Sequence, residues 1–106
     1  MNIKYIIKNK IENDILKFEE FGIDDNWSIN KNNIHNYLIE PRYEEYISWN
    51  MKDKILLWTV FEGNDVGYQI VYSEINEDFG MATITNENEK IFLGFYGSFI
   101  ETFSSL

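Results

Sequence analysis

Few side chains in this sequence have the types and spacing that chemistry demands. There is one histidine, no cysteine, and eighteen carboxylates stand against nine lysine and arginine residues. His35 lies in an asparagine-rich stretch with no second His or Cys nearby to share a metal or a proton, so neither a zinc site nor a general base is assembled around it. The adjacent acids Glu19-Glu20, Asp24-Asp25, Glu44-Glu45 and Glu77-Asp78 are the residue types of a glycosidase dyad, which needs two carboxyls about 5–9 Å apart across one cleft. Neighbours on an extended strand point to opposite faces, so these pairs read as solvated charge. Asp24-x-Asn26-x-Ser28 opens like a calcium loop. However, Ile29 stands where the sharp turn needs glycine, and His35 stands where a bidentate glutamate belongs. Gly97-Ser98 is the nearest approach to a nucleophile elbow and lacks the rest of that pattern. No glycine pattern cradles phosphate. The reading is therefore of no catalytic residue, no metal ligand and no cofactor.

The elements that must carry these residues form one domain, since 106 residues suit a single core. The apolar fraction is 44% and the aromatic fraction 17%, ample for that core. Without cysteine there is no disulfide, which agrees with an intracellular protein. The start, Met1-Asn2-Ile3-Lys4-Tyr5, has no long apolar run, and no stretch approaches the roughly 20 apolar residues of a membrane span. The expectation is a cytoplasmic protein with no membrane contact. A formal charge of −9 repels nucleic acid and anionic lipid and attracts basic proteins.

Apolar residues at Ile3, Ile7, Ile11, Ile15, Phe18 and Phe21 have helical spacing, and Gly22 follows where a helix commonly stops. One amphipathic helix over residues 3–21 is expected, with residues 2–7 as an alternative edge strand. Ile23 to Asn36 reads as a long loop, because Asn and Asp bond their own backbone in competition with regular structure. Alternation then predicts a strand through Ile47, Trp49 and Met51, which a turn at Lys52-Asp53-Lys54 pairs with Ile55–Phe61. In that second strand Leu56, Trp58 and Val60 are assigned to one face, and Ile55, Leu57 and Phe61 to the other. Both faces are apolar, so the strand should be covered on each side. Gly63, Asn64, Asp65 and Gly67 supply the turn of a hairpin to Tyr68–Tyr72. Two further strands are expected over Gly80–Thr85 and Lys90–Phe95, the last with Ile91, Leu93 and Phe95 opposite Phe92. Ser98 and Glu101 form a capping box ahead of a Tyr96, Phe99, Ile100, Phe103 stripe. The predicted fold is α+β: an antiparallel four- to five-stranded β-meander packed with an N-terminal amphipathic helix and a short C-terminal helix.

Four runs carry a likeness: Leu57-Trp58-Thr59-Val60-Phe61-Glu62, Gly67-Tyr68-Gln69-Ile70-Val71-Tyr72, Phe79-Gly80-Met81-Ala82 and Gly94-Phe95-Tyr96-Gly97-Ser98-Phe99. Over about half the chain they resemble the small immunity proteins of bacterial contact-dependent growth inhibition and related polymorphic toxin systems. The resemblance implies a cytoplasmic inhibitor that binds one cognate toxin domain, commonly a nuclease and here expected to be a ribonuclease, and needs no catalytic group. Acidity suits that role, since a nuclease that grips phosphate carries a basic cleft. Aromatics among acids are typical interface anchors. The toxin-binding candidates are Asp24, Asp25 and Trp27 of the long loop, Tyr43, Glu44 and Glu45 after Pro41, and Glu62 and Asp65 of the central turn. Trp27, Tyr37, Tyr43 and Tyr46 also fit a satellite cluster packed under the loop. Two alternatives share the composition: a phage-encoded decoy of a nucleic-acid-guided nuclease, and a small-ligand domain with a deep pocket.

Overall fold

The computed structural model describes residues 2–50, 52–63 and 67–106. Met51 and the turn residues Asn64 and Asp65, assigned above to a strand and a hairpin turn, lie outside the described residues. In chain order the elements are α1 (Ile3–Ile15), β1 (Leu38–Ser48), β2 (Lys54–Phe61), β3 (Gln69–Ser73), β4 (Asp78–Ile84), β5 (Lys90–Gly97) and α2 (Phe99–Ser104). Two 3-10 turns, Glu19–Phe21 and Ile34–Asn36, flank the long loop.

The Asn2 side chain caps α1 by accepting from the Lys4 amide at 2.9 Å. The helix is shorter than its apolar periodicity suggests. After Ile15 the chain tightens, and Gly22 takes a left-handed φ of 77°. The Ile23 amide then bonds back to the Phe18 carbonyl at 2.9 Å. Ile23 thereby takes the buried place expected of Phe21, which is exposed. α2 begins on the predicted capping box, and it buries Phe99, Ile100 and Phe103.

The five strands pair in sequence order as an antiparallel meander, as expected, but the sheet does not stay open. It closes into a barrel, because the end of β1 pairs parallel with the start of β5 at Ile47–Ile91 and Ser48–Phe92. A twisted sheet of five strands coils far enough to bring its edges together, and closure removes two edges that would otherwise template aggregation. β1 reaches β5 because it is 11 residues long and shifts register between Leu38 and Arg42, at Pro41.

Closure divides the apolar residues into two cores. Inside the barrel lie Tyr46, Leu57, Val71, Ala82 and Phe92, with Ile55 and Phe95 against them. The barrel is narrow where β4 meets β5. A Cβ at Gly80 would sit 2.5 Å from the Gly94 carbonyl oxygen and 2.8 Å from the Phe92 ring, so only glycine fits there. Outside, α1 and α2 cover the sheet through Ile7, Ile11, Ile15, Phe99, Ile100 and Phe103, packed on Val60, Phe61, Ile70, Tyr72 and Phe79. β2 is covered on both faces towards its end, at Leu57 and from Thr59 to Phe61, but not at Leu56, which is exposed.

Two side-chain assignments fail for one reason. A register shift between Thr59 and Phe61 turns Phe61 out to the helices beside Val60. In β5, Met81 faces Gly94 and Ala82 faces Phe92, so Leu93 is the extra residue of a bulge. Phe92 and Phe95 therefore share the barrel interior, with ring centroids 4.7 Å apart. Each bulge advances the two-residue period by one and sends the next side chain to the other face.

Candidate functional site

Two regions of β1 and β2 concentrate polar and aromatic groups. The first runs along the parallel seam from the barrel interior at Tyr46 out to the rim, where the Arg42 side chain is 48% exposed. Arg42, Glu44 and Tyr46 are on the inward side of β1, and Thr59 faces them from β2. Thr59 donates its hydroxyl to Glu44 Oε1 at 2.7 Å. Its only proton is then used, so the Tyr46 hydroxyl that touches Thr59 Oγ1 must be a donor. Lys90 of β5 bonds Glu44 Oε2 across the seam. Arg42 reaches Glu44 Oε1 with Nε at 3.3 Å and Nη2 at 3.2 Å. The same guanidinium grips Glu62 with both terminal nitrogens, at 2.9 and 2.8 Å. Burial pushes the Glu44 carboxyl up, but the bonds from Lys90 and Thr59 and the charges of Arg42 and Lys90 outweigh it, and the net shift is downward. Tyr46 is pushed up to about 12, chiefly by burial.

The second region is the outer face of the same strands. Tyr43 and Trp58 are a registered cross-strand pair with ring centroids 4.8 Å apart. Leu56 stands beside them opposite Glu45. No helix covers this end of the sheet: Tyr43 is 53% exposed and Leu56 54%. The Trp58 indole donates to Glu74 Oε1 at 3.0 Å, which ties the β3–β4 turn to the ring pair. At the tip of that turn Ile75 is 93% exposed, flanked by Glu74, Glu77 and Asp78. Glu77 holds a φ of 54°, which only the tight turn imposes on a residue with a side chain. The Tyr72 hydroxyl is raised by burial and then by the charges of Glu77, Glu74 and Asp78. The result is an apolar and aromatic patch with an acidic rim.

The residues singled out from the sequence divide among several places. Tyr43 and Glu45 lie on the outer patch, where Glu45 meets Lys54 at 3.6 Å. Glu44 and Glu62 belong to the seam and are held by Arg42. Asp65 is outside the described residues. Asp24 and Asp25 bond within their loop, to the Asn26 amide at 2.9 Å and the Asn32 side chain at 3.1 Å. That loop is ordered by its amides: Asn30 accepts from the Asn32 amide and donates to the Trp27 carbonyl, while Asn33 accepts from the Asn30 amide and donates to the Ser28 carbonyl. Trp27 is half-buried on the helix-side core with its ring 6.0 Å from Phe103, and Tyr37 stacks on Phe61 at 5.7 Å. Tyr46 is core, 1% exposed.

Sequence reasoning missed Leu56, Trp58, Glu74 and Ile75 as surface features. A doubly apolar strand does not reveal where its helical cover ends, and here Val60 is covered and Leu56 is not. Ile75, a lone aliphatic residue inside Glu74-Ile-Asn-Glu-Asp78, was the available signal.

Other features are plainer. An open cleft of about 570 Å³ at the barrel mouth is lined by Asn36, Tyr37, Ile39, Glu62, Gly63, Gln69 and Ile84. Gln69 Oε1 is buried there without a hydrogen-bond partner among the described residues. A groove between α1 and β1 is bridged by Lys8–Glu40 and by His35–Glu12 at 2.7 Å. Among the described residues no group of three His, Cys, Asp or Glu side chains could hold a metal ion, and no helix is long and apolar enough to cross a membrane. Comparison with protein-family models, curated proteins and solved structures finds no match to this chain.

Proposed function

We propose that this chain is an inhibitor of the immunity-protein type. It binds a cognate toxin domain in the cytoplasm, with a ribonuclease as the first candidate, and neutralises it by covering its basic active site. It is not an enzyme on this reading, because occupancy is enough. The observation that carries the proposal is the outer-face patch of exposed Tyr43 and Leu56 beside the half-buried Trp58, with Glu45 and Glu74 next to it. Aromatic anchors supply binding energy once water is excluded around them, and the surrounding charge sets orientation and encounter rate. A net charge of −9 steers a basic partner over distances that salt shortens. A cognate interface buries on the order of 1,600 Å² in total, more than the patch alone, so flanking surface takes part.

The test mixes purified chain, at equal concentration, with each basic nuclease domain encoded beside its gene. One nuclease should lose activity and co-elute with the chain, and its association rate should fall steeply with salt. A chain that leaves every such nuclease active, or turns over a substrate unaided, ends the proposal. The barrel-mouth cleft favours a second reading as a small-ligand domain, since Gln69 leaves an acceptor unmatched there. A metabolite panel that raises the melting temperature of wild type but not of Gln69→Leu would support it.

A further inference from the structure

We propose that the Tyr43–Trp58 ring pair, with Glu74 and Glu45 beside it, is a seat for one arginine side chain of the partner protein. The proposal rests on the inhibitor reading for the source of that arginine. The seat itself follows from four features of the outer face.

First, the two rings meet at 4.8 Å in a registered pair on neighbouring strands, so their position is set by the sheet and little side-chain freedom is lost on binding. Second, Tyr43 remains more than half exposed, and an exposed aromatic ring attracts a cation through its quadrupole. Third, Glu74 spends one oxygen on the Trp58 indole, and its other oxygen has no hydrogen bond among the described residues. Glu45 stands two residues beyond Tyr43 on the same side, paired with Lys54 at 3.6 Å between side chains that are both well exposed. Such a pair is loose enough to exchange for a better donor. Fourth, an aromatic pair tilted by 42° next to carboxylates suits a guanidinium, which stacks on rings and bonds carboxylates as a fork, better than the point charge of an ammonium.

Charge selects the occupant further. Phosphates of nucleic acid or lipid are repelled by the rim. A second copy of this chain cannot fill the seat, because its only arginine, Arg42, is already locked to Glu62 and Glu44 in the seam. The seat therefore takes an arginine from a different, basic protein.

The experiment uses nitrogen-labelled full-length chain and three blocked tripeptides, acetyl-Gly-X-Gly-amide, with X as arginine, lysine or citrulline. The Trp58 indole N–H and the amides of Tyr43, Leu56 and Glu74 should shift saturably with the arginine peptide, less with lysine and not with citrulline, which keeps the shape without the charge. Tyr43→Ser and Glu74→Gln should each weaken the arginine response about two- to fivefold, with an unchanged melting temperature. Shifts spread evenly over all acidic residues, or an arginine affinity unchanged in Tyr43→Ser, would overturn the seat. The two readings also separate. A basic nuclease neutralised equally by wild type and Tyr43→Ser removes the seat and leaves the inhibitor. Arginine bound at the ring pair with no nuclease neutralised removes the inhibitor and leaves the seat.

Discussion

Glu44 and Glu45 are neighbours in sequence and opposites in the molecule. The Glu44 side chain keeps only 19% of its exposure and bonds Thr59, Arg42 and Lys90. The Glu45 side chain keeps 56% and meets one lysine. One carboxylate helps close a barrel across 46 positions of sequence, and the other decorates a face that nothing covers. Acidity in this chain thus has two uses: on the seam it is a fastener held by several partners, and on the outer face it is held by one loose, exposed pair that a partner can displace. A count of acids cannot separate these uses, whereas the side of the strand does so at once.

The largest expected contrast is in stability. Glu44→Ala leaves Lys90 without its carboxylate and Arg42 with Glu62 alone, and because these side chains are partly exposed it should cost about 1.5 kcal/mol in urea unfolding. Glu45→Ala should cost less than about 0.5 kcal/mol. Equal losses would break the comparison.

Proton linkage sharpens it on the alkaline side. Tyr46 has its folded pKa raised to about 12, first by burial, so the folded state favours the neutral phenol. Its contribution, on the order of 2 kcal/mol, is complete below pH 10 and is lost as pH rises from 10 through 12. Tyr46→Phe should be less stable at pH 7 by about 1 kcal/mol, the value of the hydroxyl bond to Thr59, yet lose less as pH climbs. An unfolding slope above pH 10 that is the same in both proteins would contradict this arrangement.

On the acid side the sign reverses. Glu44 has its folded pKa lowered from 4.5, since the bonds and charges of Lys90, Thr59 and Arg42 outweigh its burial. Its stabilisation is present above the unfolded value and is lost as pH falls through the lowered folded value. Glu44→Gln should flatten the decline of stability below pH 4.5. It should not abolish the decline, because Glu40 is also lowered, chiefly by its bond from Lys8. A melting-temperature profile from pH 2 to 6 reads the difference.

The smallest effect concerns the barrel mouth. Gln69→Met removes a buried acceptor that has no donor and keeps the volume, so it should stabilise the fold by about 1 kcal/mol. A loss of stability instead would mean that Gln69 has a partner inside the barrel.

Much of this architecture was legible locally. The Ser98–Glu101 capping box, the turn at Gly22, the strand alternation of Ile55 to Val60 and the order of the meander all follow from interactions between residues close in sequence. The candidate surface was legible only in part. Tyr43 and Glu45 could be named because an aromatic beside acids is unusual. Trp58 and Leu56 could not, because β2 is apolar on both sides and its cover is provided by helices from the two ends of the chain. Glu44 and Glu62 were named for their charge, yet that charge is matched by Arg42 and by Lys90 of the last strand.

Residue types and short spacings were sufficient for the order of helices and strands, the absence of a cysteine or a second histidine, and a strong negative charge, because each depends on a few neighbouring side chains; they misplaced the first strand, expected through Trp49 and Met51, which runs Leu38–Ser48 with Trp49 in the turn. Barrel closure, the inward turn of Glu44, the outward turn of Phe61 and the bare Tyr43–Trp58 pair arose only in three dimensions. A single bulge reverses which face a strand presents, and the partners that reward one face over the other lie dozens of residues away.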